Sequence, residues 1–228
     1  MGDCRQCIIH KFNSLKKLSK GELRHISDRK DEISFDKGES IIDEGHMLNG
    51  IYCLRAGDCK LTRLSSNGKE QIVRFIHPGE LMGYRSVVSE EPASLSIKAI
   101  NDVQACFIPK EEVYDILNEN PEFARDLMKV LSNDLKDANL ALTDMAQKTV
   151  KERLAHTLMF LDDTFGEDND GFIAVTLSRE EIASVIGTAT ESAIRLLSEF
   201  KKKGLIELSG KKIKIKDLKG LERIELGF

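Results

Sequence analysis

The chain has 228 residues, 41% of them apolar, enough for one large domain or two modest ones without disulfide or metal staples. Charged residues make up 32%, yet 34 Lys+Arg against 38 Asp+Glu leave a net charge of −4, which excludes a globally basic nucleic-acid binder and confines any such site to a local patch. No run approaches the roughly 18 apolar residues of a membrane span, and MGDCRQCIIH lacks the apolar core of a secretion signal, so a cytoplasmic protein with no membrane partner is expected. Five cysteines, an odd number without an export signal, argue for reduced thiols rather than a disulfide framework. The absence of Trp and only 6% aromatic residues argue against stacking on single-stranded bases.

Residues 1–30 read as a peripheral lead-in with one short helix, because Ser19 and Glu22 have capping-box spacing and Leu23 and Ile26 give an apolar edge. From Ile33 to Phe107, short runs rich in β-branched residues alternate with turn signals at Gly38, Gly45, Gly57, Asn67-Gly68 and Pro78-Gly79. That spacing predicts an antiparallel β-roll, jelly-roll-like, of about eight short strands. After Pro109 the period becomes helical. From Asn120-Pro121 onward, Ala124, Met128, Leu131, Leu135, Ala138, Leu142 and Met145 recur at alternating spacings of four and three, with Lys129, Asp134, Lys136 and Asp137 on the opposite face. A seam this narrow and sustained suits a partner helix and predicts a parallel homodimer. The first domain is therefore placed at 1–148, with its dimerisation helix at about 120–148.

Residues 149–228 form the second domain. One helix carries Val150, Leu154, Leu158 and Leu161, the acidic loop GEDNDG follows, and FIAVTL reads as a strand. Capping boxes at Ser178/Glu181 and Thr188/Glu191 then place two helices about a tight turn at Gly187. Past Gly204, LIEL and KKIKIKD read as a hairpin turning at Ser209-Gly210. Helix, turn, helix and hairpin make a winged helix-turn-helix, so the whole chain is α+β.

Between residues 171 and 219 there are ten Lys/Arg against six Asp/Glu, so this is where the basic charge gathers. Alternation along the last strand puts Ile213 and Ile215 on the core and Lys212, Lys214 and Lys216 on the outer face, which with Lys211 suits phosphate contacts or, equally, a lysine-guarded sheet edge. On the second helix Ala193, Leu196, Leu197 and Phe200 can pack inward, leaving Thr190, Glu191, Ile194 and Arg195 at the end that would enter a major groove. Arg195 can donate a fork to guanine and Glu191 can accept from cytosine. The alternative roles are a cap for Glu191 and a solvated ion pair for Arg195. Ser178 and Thr188, at the helix starts, complete the candidate double-stranded DNA contacts.

The stretch LSREEIASVIGTATESAIRLLSEFKKKGLIELSGKKIKI, with VKERLA at 150–155 upstream, resembles the helix-turn-helix signature of the Crp/Fnr family of bacterial transcription regulators, and the resemblance extends over nearly the whole chain. It implies a β-roll effector domain, a long dimer helix and a winged domain binding a twofold-symmetric promoter site. Base-reading positions of the family fall on Thr190, Glu191 and Arg195, and Ile194 stands where oxygen-sensing members carry Ser. Cyclic-AMP receptors of the family have Gly-Glu-Leu and, about nine residues after the Glu, an Arg-Ser that holds the phosphate. Aligned on Gly83, this chain has Tyr84 and Ser94-Leu95 there; aligned on Gly79-Glu80-Leu81 it has Ser89-Glu90, so both registers argue against cyclic AMP. Gly83, Tyr84, Arg85, Ser86 and Ser94 are the candidate effector region.

Cys4, Cys7 and Cys106 are similar in placement to three iron–sulfur ligands of oxygen-sensing members, with Asn13 at the fourth position and His10 as a substitute nearby. An iron–sulfur cluster, a thiol redox pair and inert thiols all remain open for them, and Cys53 and Cys59 are assigned to packing and His77 to a turn. An activator of this kind would also need a surface for RNA polymerase, and no residue pattern marks one. A second functional class is an effector or redox module whose helix-turn-helix mainly contacts protein. No paired acid and base, metal-ligand tetrad or Gly-rich phosphate loop points to an enzyme.

Overall fold

The computed structural model describes residues 13–65, 68 and 70–228. The chain forms two compact units that divide between Lys136 and Asp137.

The first unit begins with a 3-10 turn at Ser14–Lys17 and helix α1 (Lys20–Arg29). The expected capping box is present: the Ser19 hydroxyl accepts from the Glu22 amide at 3.3 Å and the Glu22 carboxylate accepts from the Ser19 amide at 2.6 Å. The segment is not peripheral, however. Leu15, Leu18, Leu23 and Ile26 are all buried in the main helical core, because the apolar spacing continues through the cap into the preceding turn.

Eight strands follow, as the turn spacing requires: β1 (Asp31–Phe35), β2 (Ser40–Ile42), β3 (Gly50–Ala56), β4 (Cys59–Leu64), β5 (Glu70–Ile76), β6 (Leu81–Met82), β7 (Ser96–Ala99) and β8 (Val103–Pro109). They pair antiparallel in two four-stranded sheets, ordered β1-β8-β3-β6 and β2-β7-β4-β5. A short helix, α2 (Tyr84–Ser89), leaves β6 at Gly83, whose left-handed φ of 83° is a conformation that strains any residue with a side chain. Alternation along the strands gives each face of the first sheet its own core. Leu54, Val103 and Ala105 join Ile42, Ile76, Met82 and Ile97 in one cluster. Ile51, Cys53, Cys106 and Ile108 join the helices in the other.

Two helices complete this second layer, α3 (Lys110–Glu119) and α4 (Pro121–Gln147). Pro121 opens α4 where a missing N–H costs nothing, and the Asn120 side-chain oxygen accepts from the Phe123 amide at 2.9 Å. Phe123 and Leu127 are buried on the roll, with Val130 and Leu131 packed beside them. The polar residues of α4 do not all face solvent: Asp134 accepts a hydrogen bond from the Tyr84 hydroxyl and so belongs to the roll-facing side. Met128, Leu135, Leu142 and Met145 are exposed.

The second unit holds α5 (Val150–Phe165), α6 (Arg179–Val185), α7 (Thr190–Lys202), the hairpin β9 (Ile206–Ser209) and β10 (Lys212–Ile215), and α8 (Leu218–Glu225). Leu154, Leu158 and Leu161 of α5 are buried, as their spacing predicts. FIAVTL is not a strand. Its order comes from one bridge between Glu167 and Ile173 and from the Ile173 amide donating to the Ile213 carbonyl at 2.8 Å, so the segment leans on the wing without joining a ladder. Nor does the Thr188/Glu191 capping box form: the Thr188 amide donates back to the Ala183 carbonyl at 3.0 Å, closing the interhelical turn, and α7 starts from Ala189 without a side-chain cap. Helix α8, unread in the sequence, is capped by the Asp217 side chain accepting from the Gly220 amide at 2.9 Å, and it buries Leu221.

Candidate nucleic-acid interface and effector region

The first turns of α7 present a row of side chains to solvent. Ala193, Leu196, Leu197 and Phe200 are buried, which fixes the rotation of the helix and turns Glu191, Ile194 and Arg195 to solvent, with Thr190 half-buried at its first position. Thr188 is half-buried in the turn. Ser178 caps α6: its hydroxyl accepts from the Glu181 amide at 3.1 Å, and Glu181 accepts from the Ser178 amide at 2.8 Å.

Two arginines that sequence reasoning passed over hold this arrangement together. Arg179, at the start of α6, donates to the Gly210 carbonyl at 2.8 Å and reaches the Lys211 carbonyl at 3.4 Å, tying the helix to the wing turn. Arg153 of α5 donates to the Ile186 carbonyl at 2.8 Å, the Lys148 carbonyl at 2.6 Å and the Met145 carbonyl at 3.3 Å. Neither could have been found from periodicity, because each acts on backbone carbonyls.

The wing has the expected strands, and Ile213 is buried while Ile215 is half-buried. Lys211 is exposed and Lys212 and Lys214 lie beside it, but the last two are engaged. Lys212 donates to the Asp168 carboxylate at 2.7 Å and Lys214 to the Asp170 carbonyl at 2.8 Å, and each ammonium lies 5.8 Å from the centre of the Phe172 ring. The Lys212 ammonium, with the Phe172 and Asp170 amides, holds the Asp168 carboxyl below its ordinary range, and Asp168 in turn raises Lys212. The acidic loop thus offsets part of the basic excess of the wing.

In the first unit, Gly83 turns the chain into α2, and the Tyr84 side chain is buried with its hydroxyl on Asp134. Burial and the Asp134 charge push the Tyr84 hydroxyl well above its usual pKa. Arg85 donates to the Ser94 hydroxyl, and Ser86 is buried with its carbonyl accepting from the Glu91 amide at 3.2 Å. Of these five residues only Tyr84 lines the small cleft of about 90 Å³, which is otherwise bounded by Asn13, Ser14, Gly79, Glu80, Leu81 and Val130. Beside it, Arg74 and Glu80 pair at 2.6 Å. His77 sits in its turn with Nδ1 2.9 Å from Asp58.

Cys53, Cys59 and Cys106 are buried. Cys4, Cys7 and His10 lie outside the described residues, and among the described residues no group of three or more His, Cys, Asp or Glu side chains could hold a metal ion.

Residues 32–120 match the family model of the cyclic nucleotide-binding domain, and residues 152–224 match the Crp-like helix-turn-helix domain. A transcriptional activator protein, Anr, from Pseudomonas protegens is 32% identical over 79% of this chain and 75% of its own length. The chain belongs to the Crp/Fnr family of transcriptional regulators. An anaerobic regulatory protein from Haemophilus influenzae is 29% identical over 96% of this chain and 86% of its own length. A Crp/Fnr-family regulator of known structure, from Eubacterium rectale, superimposes with a TM-score of 0.80 over 93% of this chain and 97% of its own at 21% identity, which reports the shared fold. Tyr84 is committed to Asp134, and Ser94 accepts from Arg85. Among the described residues, no helix is long and apolar enough to cross a membrane.

Proposed function

We propose that this Crp/Fnr regulator acts as a homodimer that reads a twofold-symmetric site in double-stranded DNA, with its activity set through the β-roll by an effector or redox signal other than cyclic AMP. The observation that carries the reading is the solvent-facing row Glu191, Ile194 and Arg195 at the start of α7, next to the lysine-bearing wing. Arg195 and Glu191 contact base edges, Thr190 and Ile194 shape the fit in the groove, and Ser178, Thr188, Lys211, Lys212 and Lys214 meet phosphates.

Dimerisation rests on α4. Leu135 is 64% exposed and Leu142 71% exposed in the single chain, and together with Met128, Ala138 and Met145 they form a stripe that needs a cover. Leu131 contributes from the half-buried margin of the same stripe, next to the roll core. A second copy of the same helix supplies complementary apolar residues at matching spacing. Against cyclic AMP stands the lack of a phosphate-pairing arginine at Ser94-Leu95.

Selection of random duplexes with the full chain tests the reading. An enriched motif with twofold symmetry and half-site centres about 10 base pairs apart is expected. Enrichment of no such motif would overturn it and favour a helix-turn-helix that contacts protein.

A further inference from the structure

We infer that Cys53 and Cys106 form a dithiol–disulfide pair that a small hydroperoxide, such as hydrogen peroxide, oxidises within the folded β-roll. This rests on the geometry of the sheet and stands apart from the DNA-binding reading.

Cys53 of β3 and Cys106 of β8 are direct partners in an antiparallel register. Cα atoms so paired lie about 4.5–5.5 Å apart, inside the window of roughly 4.4–6.8 Å that a disulfide spans, and the two side chains share one face of the sheet. Both thiols belong to the same buried cluster. Each sulfur also accepts from a nitrogen donor, which apolar packing alone does not require. Lys30, whose side chain is 2% exposed, donates to Cys106 Sγ at 3.4 Å, and the Asn13 side-chain amide donates to Cys53 Sγ at 3.3 Å.

Asn13 also borders the cleft of about 90 Å³, so the residue that donates to the Cys53 sulfur is itself reached from a small recess. Ser14 lines the same recess with a buried hydroxyl that has no hydrogen-bond partner among the described residues. At about 30 Å³ per water, the space accepts a molecule the size of hydrogen peroxide, and the Ser14 hydroxyl offers it a hydrogen bond.

The chemistry balances without another reactant. The Cys53 sulfur attacks one peroxide oxygen, the O–O bond breaks, and the thiol proton passes to the departing oxygen, giving a sulfenic acid and water. The Cys106 sulfur then displaces that hydroxyl, the S–S bond forms, and the Cys106 proton leaves with the hydroxyl as a second water. Two thiols lose two protons and two electrons, and one peroxide becomes two waters.

Cys59 is the internal control. It lies in the other core, away from this face, and burial with the Asp58 and Glu80 charges pushes its thiol up to about 12.

The test treats the folded full chain with hydrogen peroxide, then denatures it, alkylates the remaining thiols and maps the peptides by mass. A peptide linking Cys53 to Cys106, lighter by two hydrogens and released by reductant, is expected, with Cys59 still fully alkylated. In the Cys106→Ser variant that link must vanish, and Cys53 must stop at the sulfenic acid or a higher oxide. The inference is overturned if Cys53 and Cys106 stay as alkylatable as Cys59, or if either links only to another cysteine. It is equally overturned if absorbance of anaerobically purified protein shows iron on Cys106.

Discussion

Arg195 and Lys212 are both long cations on the second unit, yet their surroundings give them different work. Arg195 is exposed on a helix whose rotation is fixed by four buried neighbours, so its guanidinium is free of the core and open to a base edge. Replacing Arg195 by Ala should weaken binding to the selected site by about 1–3 kcal/mol while leaving random duplex nearly unaffected. Equal losses on both, measured by fluorescence anisotropy, would remove Arg195 from base reading. At this scale the sequence was informative wherever periodicity governs: Ala193, Leu196, Leu197 and Phe200 point inward as their spacing requires. It misled at Thr188, where a threonine three residues before a glutamate looks like a cap but its amide is already committed to Ala183.

At the scale of elements, the wing and the acidic loop act as one piece. A charge count from residue 171 onward omits Glu167, Asp168 and Asp170, and so overstates the free positive charge of the hairpin. The contact joins residues 44 apart in sequence, beyond the reach of any local pattern. For the same reason FIAVTL, alternating like a strand, forms only a bridge, because the wing strand beside it supplies one carbonyl rather than a full ladder. Neutralising Lys212 and Lys214 to Gln should weaken all duplexes alike and lower the slope of log affinity against log salt by about 2. Replacing Asp168 by Asn should strengthen binding to random duplex severalfold, since Lys212 then needs no carboxylate displaced before it meets a phosphate. An unchanged salt slope in the double-Gln variant would take the wing out of the DNA contact.

For the molecule as a whole, the order of β-roll, long helix and helix-turn-helix was legible because the hydrophobic period changes from two to a helical repeat near Pro109, and again at the turn-rich wing. What the sequence hid were features made by distant residues: the lead-in leucines inside the core, Asp134 turned to Tyr84, and the Cys53–Cys106 register. The exposed stripe of α4 has a direct consequence for assembly. Changing Leu135 and Leu142 together to Glu should place like charges along the seam and yield a monomer by analytical ultracentrifugation, with the circular-dichroism spectrum retained and affinity for a twofold site reduced by tenfold or more. A variant that remains a dimer would move the interface elsewhere.

Arg153 has one more consequence. The carbonyls it binds belong to the last turn and the exit of α4 and to Ile186, the residue that ends α6 just past Val185, two helix ends that each carry a partial charge of about −0.5. A single guanidinium therefore answers two macrodipoles at one point. Because the guanidinium is one rigid plane, neither helix end can move without bending or breaking the bonds at the other. The exit of α4 and the end of α6 are accordingly fixed to each other as a single joint.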